Sequence, residues 1–225
     1  MISFDQISLK FPLGNTALEN ISFDIKDNEF VYFVGPSGAG KTTILRLLLN
    51  EFRPSKGTIV VDSLEITAKK FKKTAELRRK IGVVFQDFKI LHNKNVFENI
   101  ALSLRVKNVS NSTIKQEVKR ALQLVNLPHK EEVFPAQLSA GELQRVAIAR
   151  AVVGDRKIIL ADEPTGNLDP QTTWEVMKIF RRLEKDRIIL FATHNVDIVN
   201  SMQRRVIALK EGKIIKDQLK GEYEL

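Results

Sequence analysis

The chain has 225 residues, 43% of them hydrophobic and 28% charged, and it contains no cysteine. That composition suits a compact globular domain and excludes disordered, collagen-like and disulfide-stapled classes. Its formal net charge of +9 favours anionic partners such as nucleotide, nucleic acid or a lipid surface, and a solvated basic face explains it equally well.

The opening residues, Met1-Ile2-Ser3-Phe4-Asp5-Gln6, show no basic region leading into an apolar core, so no secretory signal is read there. Residues 2–10 and 18–25 alternate apolar and polar side chains and are joined by Pro12-Leu13-Gly14-Asn15. This predicts an antiparallel hairpin with one wet face. Residues 30–34 form a continuous apolar run, as do 81–85, 158–161 and 188–193, which predicts strands buried on both faces. A short strand is expected over 58–61, after the turn signal Pro54-Ser55-Lys56-Gly57. Helical periodicity covers 42–51, 112–125, 142–153 and 172–184. The alternation argues an α/β fold with a mainly parallel sheet and a small antiparallel layer. The stretch 107–112 is too short for a linker and reads as a surface loop, so 1–225 is expected to be one domain. No apolar run approaches the roughly 20 residues of a membrane-crossing helix, so any membrane association is expected to be peripheral. The absence of cysteine fits a reducing cytoplasm.

Gly35-Pro36-Ser37-Gly38-Ala39-Gly40-Lys41-Thr42 fits G-x-x-x-x-G-K-[ST] between a buried strand and a helix, the context a phosphate-binding loop needs. Glycines let backbone N–H groups close around phosphate oxygens, Lys41 is placed for the β- and γ-phosphates, and the Thr42 hydroxyl for Mg²⁺. Thr43 completes the set expected to touch nucleotide. Asp162 and Glu163 follow a buried strand, at the sheet edge where α/β proteins bind ligands. Asp162 is the expected Mg²⁺ ligand, and Glu163 the expected base for water attacking the γ-phosphate. His194 and Gln86 also follow buried strands; His194 is placed for the γ-phosphate and Gln86 for Mg²⁺ or the attacking water. Ser139 with Glu142 matches a capping box, and the same helix start is a second anion site that invites another molecule's nucleotide.

This ordered set resembles the ABC ATPase family over essentially the whole chain: Walker A (35–42), Q-loop (Gln86), signature (138–142), Walker B (158–163), D-loop (Asn167-Leu168-Asp169) and switch histidine (His194). The resemblance implies a P-loop NTPase fold, with an antiparallel β subdomain (1–33, 57–66), a P-loop core (34–56, 67–91, 154–225) and a helical subdomain (92–153). It implies a head-to-tail homodimer in the ATP-bound state. Ser139 and Gly141 would then touch the partner's γ-phosphate and Asp169 would link the two sites. Phe11 falls where the family stacks an aromatic ring on adenine. Ala140 and Glu142 depart from the family's usual glycine and glutamine.

Residues 161–169 look like the branch that holds cell-division, lipoprotein-releasing and macrolide-exporting ATPases, and the Q-loop Gln86-Asp87 is similar to the cell-division form. That similarity implies an integral membrane partner, FtsX-like, docked near Phe88, Ile90 and Leu91, apolar residues that fit a place in the core equally well. It also implies a place on the cytoplasmic face of the inner membrane and control of cell-wall hydrolases. No nucleic acid is expected: no coiled-coil insertion separates Walker A from the signature, and there is one Walker A. The basic cluster Lys69-Lys70-Phe71-Lys72-Lys73 and Arg78-Arg79-Lys80 is the one feature that keeps an RNA-binding alternative open.

Overall fold

A computed structural model describes every residue except Leu13, Asn108, Glu222, Glu224 and Leu225; the first two, in the predicted hairpin turn and the 107–112 loop, therefore lie outside the described residues. In chain order the elements are β1 (Ile2–Lys10), β2 (Thr16–Ile25), β3 (Phe30–Val34), α1 (Lys41–Leu48), β4 (Lys56–Val61), β5 (Leu64–Glu65), α2 (Thr74–Lys80) and β6 (Ile81–Phe85). There follow α3 (Val96–Arg105), α4 (Asn111–Leu124), a 3₁₀ turn (Pro135–Gln137), α5 (Ala140–Val152), β7 (Ile158–Asp162), α6 (Pro170–Leu183), β8 (Ile188–Ala192), α7 (Val196–Met202), β9 (Arg205–Lys210) and β10 (Lys213–Gln218). They form two compact units, Met1–Arg79 with Asp186–Leu225, and Lys80–Lys185.

In the first unit, β2-β1-β4-β5 make an antiparallel sheet. The wet-faced alternation of β1 and β2 changes phase partway along each strand. Ile2 and Phe4 are buried, then Ile7 and Leu9; Leu18 is buried, then Ile21, Phe23 and Ile25. Each change costs one extra residue, Gln6 (φ 50) and Asn20 (φ 49), both left-handed. These are β-bulges, and one inserted residue turns the following side chains to the opposite face. Facing hydroxyls satisfy the displaced amides, Gln6 N–H donating to Ser22 Oγ at 2.8 Å and Asn20 N–H to Ser8 Oγ at 3.0 Å.

The same unit contains β3 paired in parallel with β8 on one side and β9 on the other, while β9 and β10 close an antiparallel hairpin. All five residues of β3 and all five of β8 are buried, as strands covered on both faces require. The β9–β10 turn is Glu211 (φ 49) and Gly212 (φ 76), two left-handed residues that match the twist of the hairpin.

The second unit holds the parallel pair β6–β7 and helices α3 to α6. Caps set the helix starts: Ser110 begins α4, Ser139 begins α5 and Asp169 begins α6. Helix α5 therefore starts two residues before its apolar periodicity becomes visible.

Candidate active site

The loop between β3 and α1 is built by exclusion. A Cβ on Gly35 (φ 143) would lie 2.2 Å from the Leu209 carbonyl oxygen, and one on Gly40 (φ 109) would lie 2.7 Å from Leu18 Cδ2. Neither position accepts a side chain. Gly40 occupies the N-cap of α1 without a side-chain cap, and the first turn carries no acid. The helix start thus presents backbone N–H groups and its partial positive charge to whatever anion the loop holds. Lys41 is only 8% exposed. Its Nζ donates to the carbonyls of Gly35 at 2.7 Å and Pro36 at 3.1 Å, so the ammonium curls over the loop. Pro36, Ser37 and Gly38 are exposed, Ala39 is buried, and Thr42 and Thr43 are half-buried.

Residue Phe33 pairs with Ala192 in the β3–β8 register, and Thr193 N–H donates to Phe33 O at 3.0 Å. His194 therefore leaves the sheet beside Gly35, at the same strand ends, and is exposed. Phe11 is half-buried and meets Phe52 edge-to-face, with ring centres 5.4 Å apart.

In the second unit the β6–β7 register pairs Phe85 with Asp162, so Gln86 and Glu163 emerge from adjacent strands at one end. Gln86 Nε2 donates to Asn167 Oδ1 at 3.5 Å, and Asn167 Nδ2 donates back to Gln86 O at 3.3 Å. The start of the D-loop is thereby tied to the Q-loop. Glu163 is left-handed (φ 47), a conformation that is uncommon outside glycine and concentrates at functional sites. Thr42, Asp162 and Gln86 all offer oxygen donors, the ligand chemistry that a hard cation such as Mg²⁺ takes.

The capping box forms as read: Ser139 Oγ accepts from Glu142 N–H at 3.2 Å, and Glu142 Oε2 accepts from Ser139 N–H at 2.9 Å. The Ser139 amide, aided by Lys130, holds the Glu142 carboxyl below its ordinary value. Gly141 has a packing role as well, since a Cβ there would lie 2.3 Å from Thr172 Cγ2 on α6. Thr172 N–H also donates to Asp169 Oδ1 at 3.0 Å. The Thr172 hydroxyl and amide together lower the Asp169 pKa. Signature and D-loop thus share one neighbour, Thr172, which no sequence pattern marked.

Sequence reasoning also missed Arg150. Phe88 (φ 58) and Lys89 (φ 49) make a left-handed turn after Gln86. From α5, Arg150 donates to Phe88 O at 2.8 Å and Lys89 O at 2.6 Å, and burial lowers its pKa. Of the three apolar residues read as a docking patch, Leu91 is 41% exposed and Phe88 half-buried, whereas Ile90, at 8%, is core.

A family model for the ABC transporter matches residues 18–166. This chain belongs to the ABC transporter family. It is 48% identical over 224 residues to the cell division ATP-binding protein FtsE of Bacillus subtilis, covering 99% of this chain and 98% of that one. The FtsE of Mycobacterium tuberculosis is 40% identical over 225 residues, with 99% and 98% covered. Among solved structures, an ATP-binding cassette in a dimeric post-hydrolysis state bound to ADP and Pi matches with a TM-score of 0.88 at 30% identity, over 99% of this chain and all of that one. The chain is an ATP-hydrolysing ABC cassette of the FtsE type, with the P-loop α/β fold read from its sequence. Among the described residues no helix is long and apolar enough to cross a membrane.

Proposed function

We propose that this ATPase works as a homodimer on an FtsX-like integral membrane partner, at the cytoplasmic face of the inner membrane, and couples ATP hydrolysis to the control of cell-wall hydrolases during division. The near full-length identity of 48% to a cell-division FtsE carries this reading.

Within the site, the 35–43 loop holds the phosphates, with Lys41 over the β- and γ-phosphates and Phe11 against adenine. Mg²⁺, when bound, would neutralise the charge that develops on the phosphates. Thr42, Asp162 and Gln86 would hold it. Glu163 accepts a proton from the attacking water as its oxygen bonds to the γ-phosphorus, and the bond to the ADP oxygen breaks. His194 and Gln86 position the γ-phosphate and that water. Ser139 and Gly141 reach the nucleotide of the second copy, and Asp169 connects the two sites. Leu91 and Phe88 offer the apolar contact for the membrane partner.

The test is purification of a Glu163→Gln variant with ATP from native membranes, followed by mass spectrometry of the co-purifying membrane subunit. An FtsX-like subunit supports the reading. Recovery with only the membrane subunit of a lipoprotein-releasing (LolD-like) or macrolide-exporting (MacB-like) system overturns it and leaves the ATPase intact.

A further inference from the structure

More than half of the chain's net positive charge is matched by one short stretch that the catalytic cycle leaves unused. Residues 69–79 hold six lysines and arginines against one acid, Glu76, a balance of +5 within a whole-chain charge of +9. Lys69, Lys70, Lys72, Lys73, Arg78 and Arg79 are all exposed. Glu76 pairs with Lys73 at 3.6 Å.

The stretch is an ordered surface. Arg53 Nη2 donates to Ala68 O at 3.2 Å, Asn50 Nδ2 to Thr74 Oγ1 at 2.9 Å and Arg78 Nε to Leu49 O at 3.0 Å, while Leu77 is fully buried. The basic side chains are therefore carried on a segment anchored to residues 49–53. Concentrated charge on a folded surface lowers the entropy lost when it meets an extended anionic plane.

We propose that residues 69–79 bind the headgroups of an anionic bilayer directly. A cluster of four to eight basic residues is the size that holds proteins to anionic leaflets. Four of the six are lysines, compact point charges that contact phosphate without the planar fork used to read bases. The segment's one ring, Phe71, is half-buried, whereas single-stranded nucleic acid is held by stacking on open aromatic faces. The proposal deepens the reading of a membrane-side ATPase, but its test contains no membrane protein, so the two fail separately.

The experiment is flotation of the purified full chain with vesicles of phosphatidylcholine plus phosphatidylglycerol, and with phosphatidylcholine alone, near physiological salt. Wild type is expected on the anionic vesicles only. Lys69, Lys70, Lys72 and Lys73 all changed to Gln should weaken that binding by roughly 10² to 10³-fold, about fivefold per lysine. A charge-matched control, Lys115→Gln with Lys119→Gln, Arg181→Gln and Lys185→Gln, removes exposed charges elsewhere and should retain more than a tenth of the affinity. Thermal melting establishes that both variants fold. The proposal is overturned if wild type ignores anionic vesicles, if it binds both compositions equally, or if the control loses as much as the 69–73 variant. Tighter binding to single-stranded RNA than to vesicles of equal phosphate content overturns it in favour of nucleic acid.

Discussion

At the scale of single residues, backbone conformation and side-chain chemistry meet most closely at Glu163. Its left-handed φ of 47 aims the side chain from the end of β7, and the Glu163 carbonyl accepts the Gly166 amide at 3.1 Å to hold the turn. Glutamine adopts the same backbone and shape but accepts no proton. Glu163→Gln is expected to keep ATP affinity and to slow turnover roughly 10² to 10⁴-fold, the worth of a positioned general base. Steady-state phosphate release, with calorimetry of ATP binding, checks it; normal turnover would remove Glu163 from the base role. Gly35, Lys41, Asp162 and Glu163 were legible in the sequence because phosphate chemistry demands those residue types in that order. Arg150 and Thr172 were not, because Arg150 acts on Phe88 and Lys89 and Thr172 packs on Gly141, all of them far along the chain.

Two devices operate at the scale of whole elements. Arg150 clamps the left-handed turn at Phe88 and Lys89 onto α5, so the element that begins with the signature also holds the Q-loop. Arg150→Ala leaves two carbonyls without their charged donor, and a destabilisation of about 1–3 kcal/mol is expected. Hydrogen exchange over residues 86–91 should rise with it, and Arg150→Lys, a single point donor without the fork, should recover only part of the protection. Unchanged exchange in the alanine variant would show that the turn holds itself.

The second device is the α5 cap. Glu142 has a folded pKa below its ordinary 4.5, so its contribution to stability is complete above that value and is lost as pH falls through the lowered one. Glutamine keeps the capping geometry without the charge. Glu142→Gln is therefore expected to lower Tm near neutral pH, with the gap from wild type closing as pH drops below 4.5. Calorimetric melting across that range checks the sign, and a pH-independent gap would contradict it. The helix α3 was also within reach of sequence reading, since Asn95 and Glu98 form a full capping box; strands β9 and β10 were signalled by Glu211-Gly212.

For the whole molecule, the expected working form is a pair. Glu163→Gln with ATP should sediment at about twice the 25.6 kDa chain mass, and should return to the single mass when Ser139 is also changed to a bulky residue that blocks the signature. A monomer under saturating ATP would oppose the dimeric cycle. By itself the sequence determined the fold class, the order of the motifs and the residue types of the chemistry, because a P-loop, a carboxylate pair and a capped helix each leave a short local signature. Only tertiary structure decided the rest. The phase changes in β1 and β2 come from bulges matched to facing serines, the bareness of Gly35 and Gly141 from a carbonyl and a threonine distant in sequence, and the assignment of Ile90 to the core from packing. Each depends on contacts between residues remote along the chain, where local periodicity carries no information.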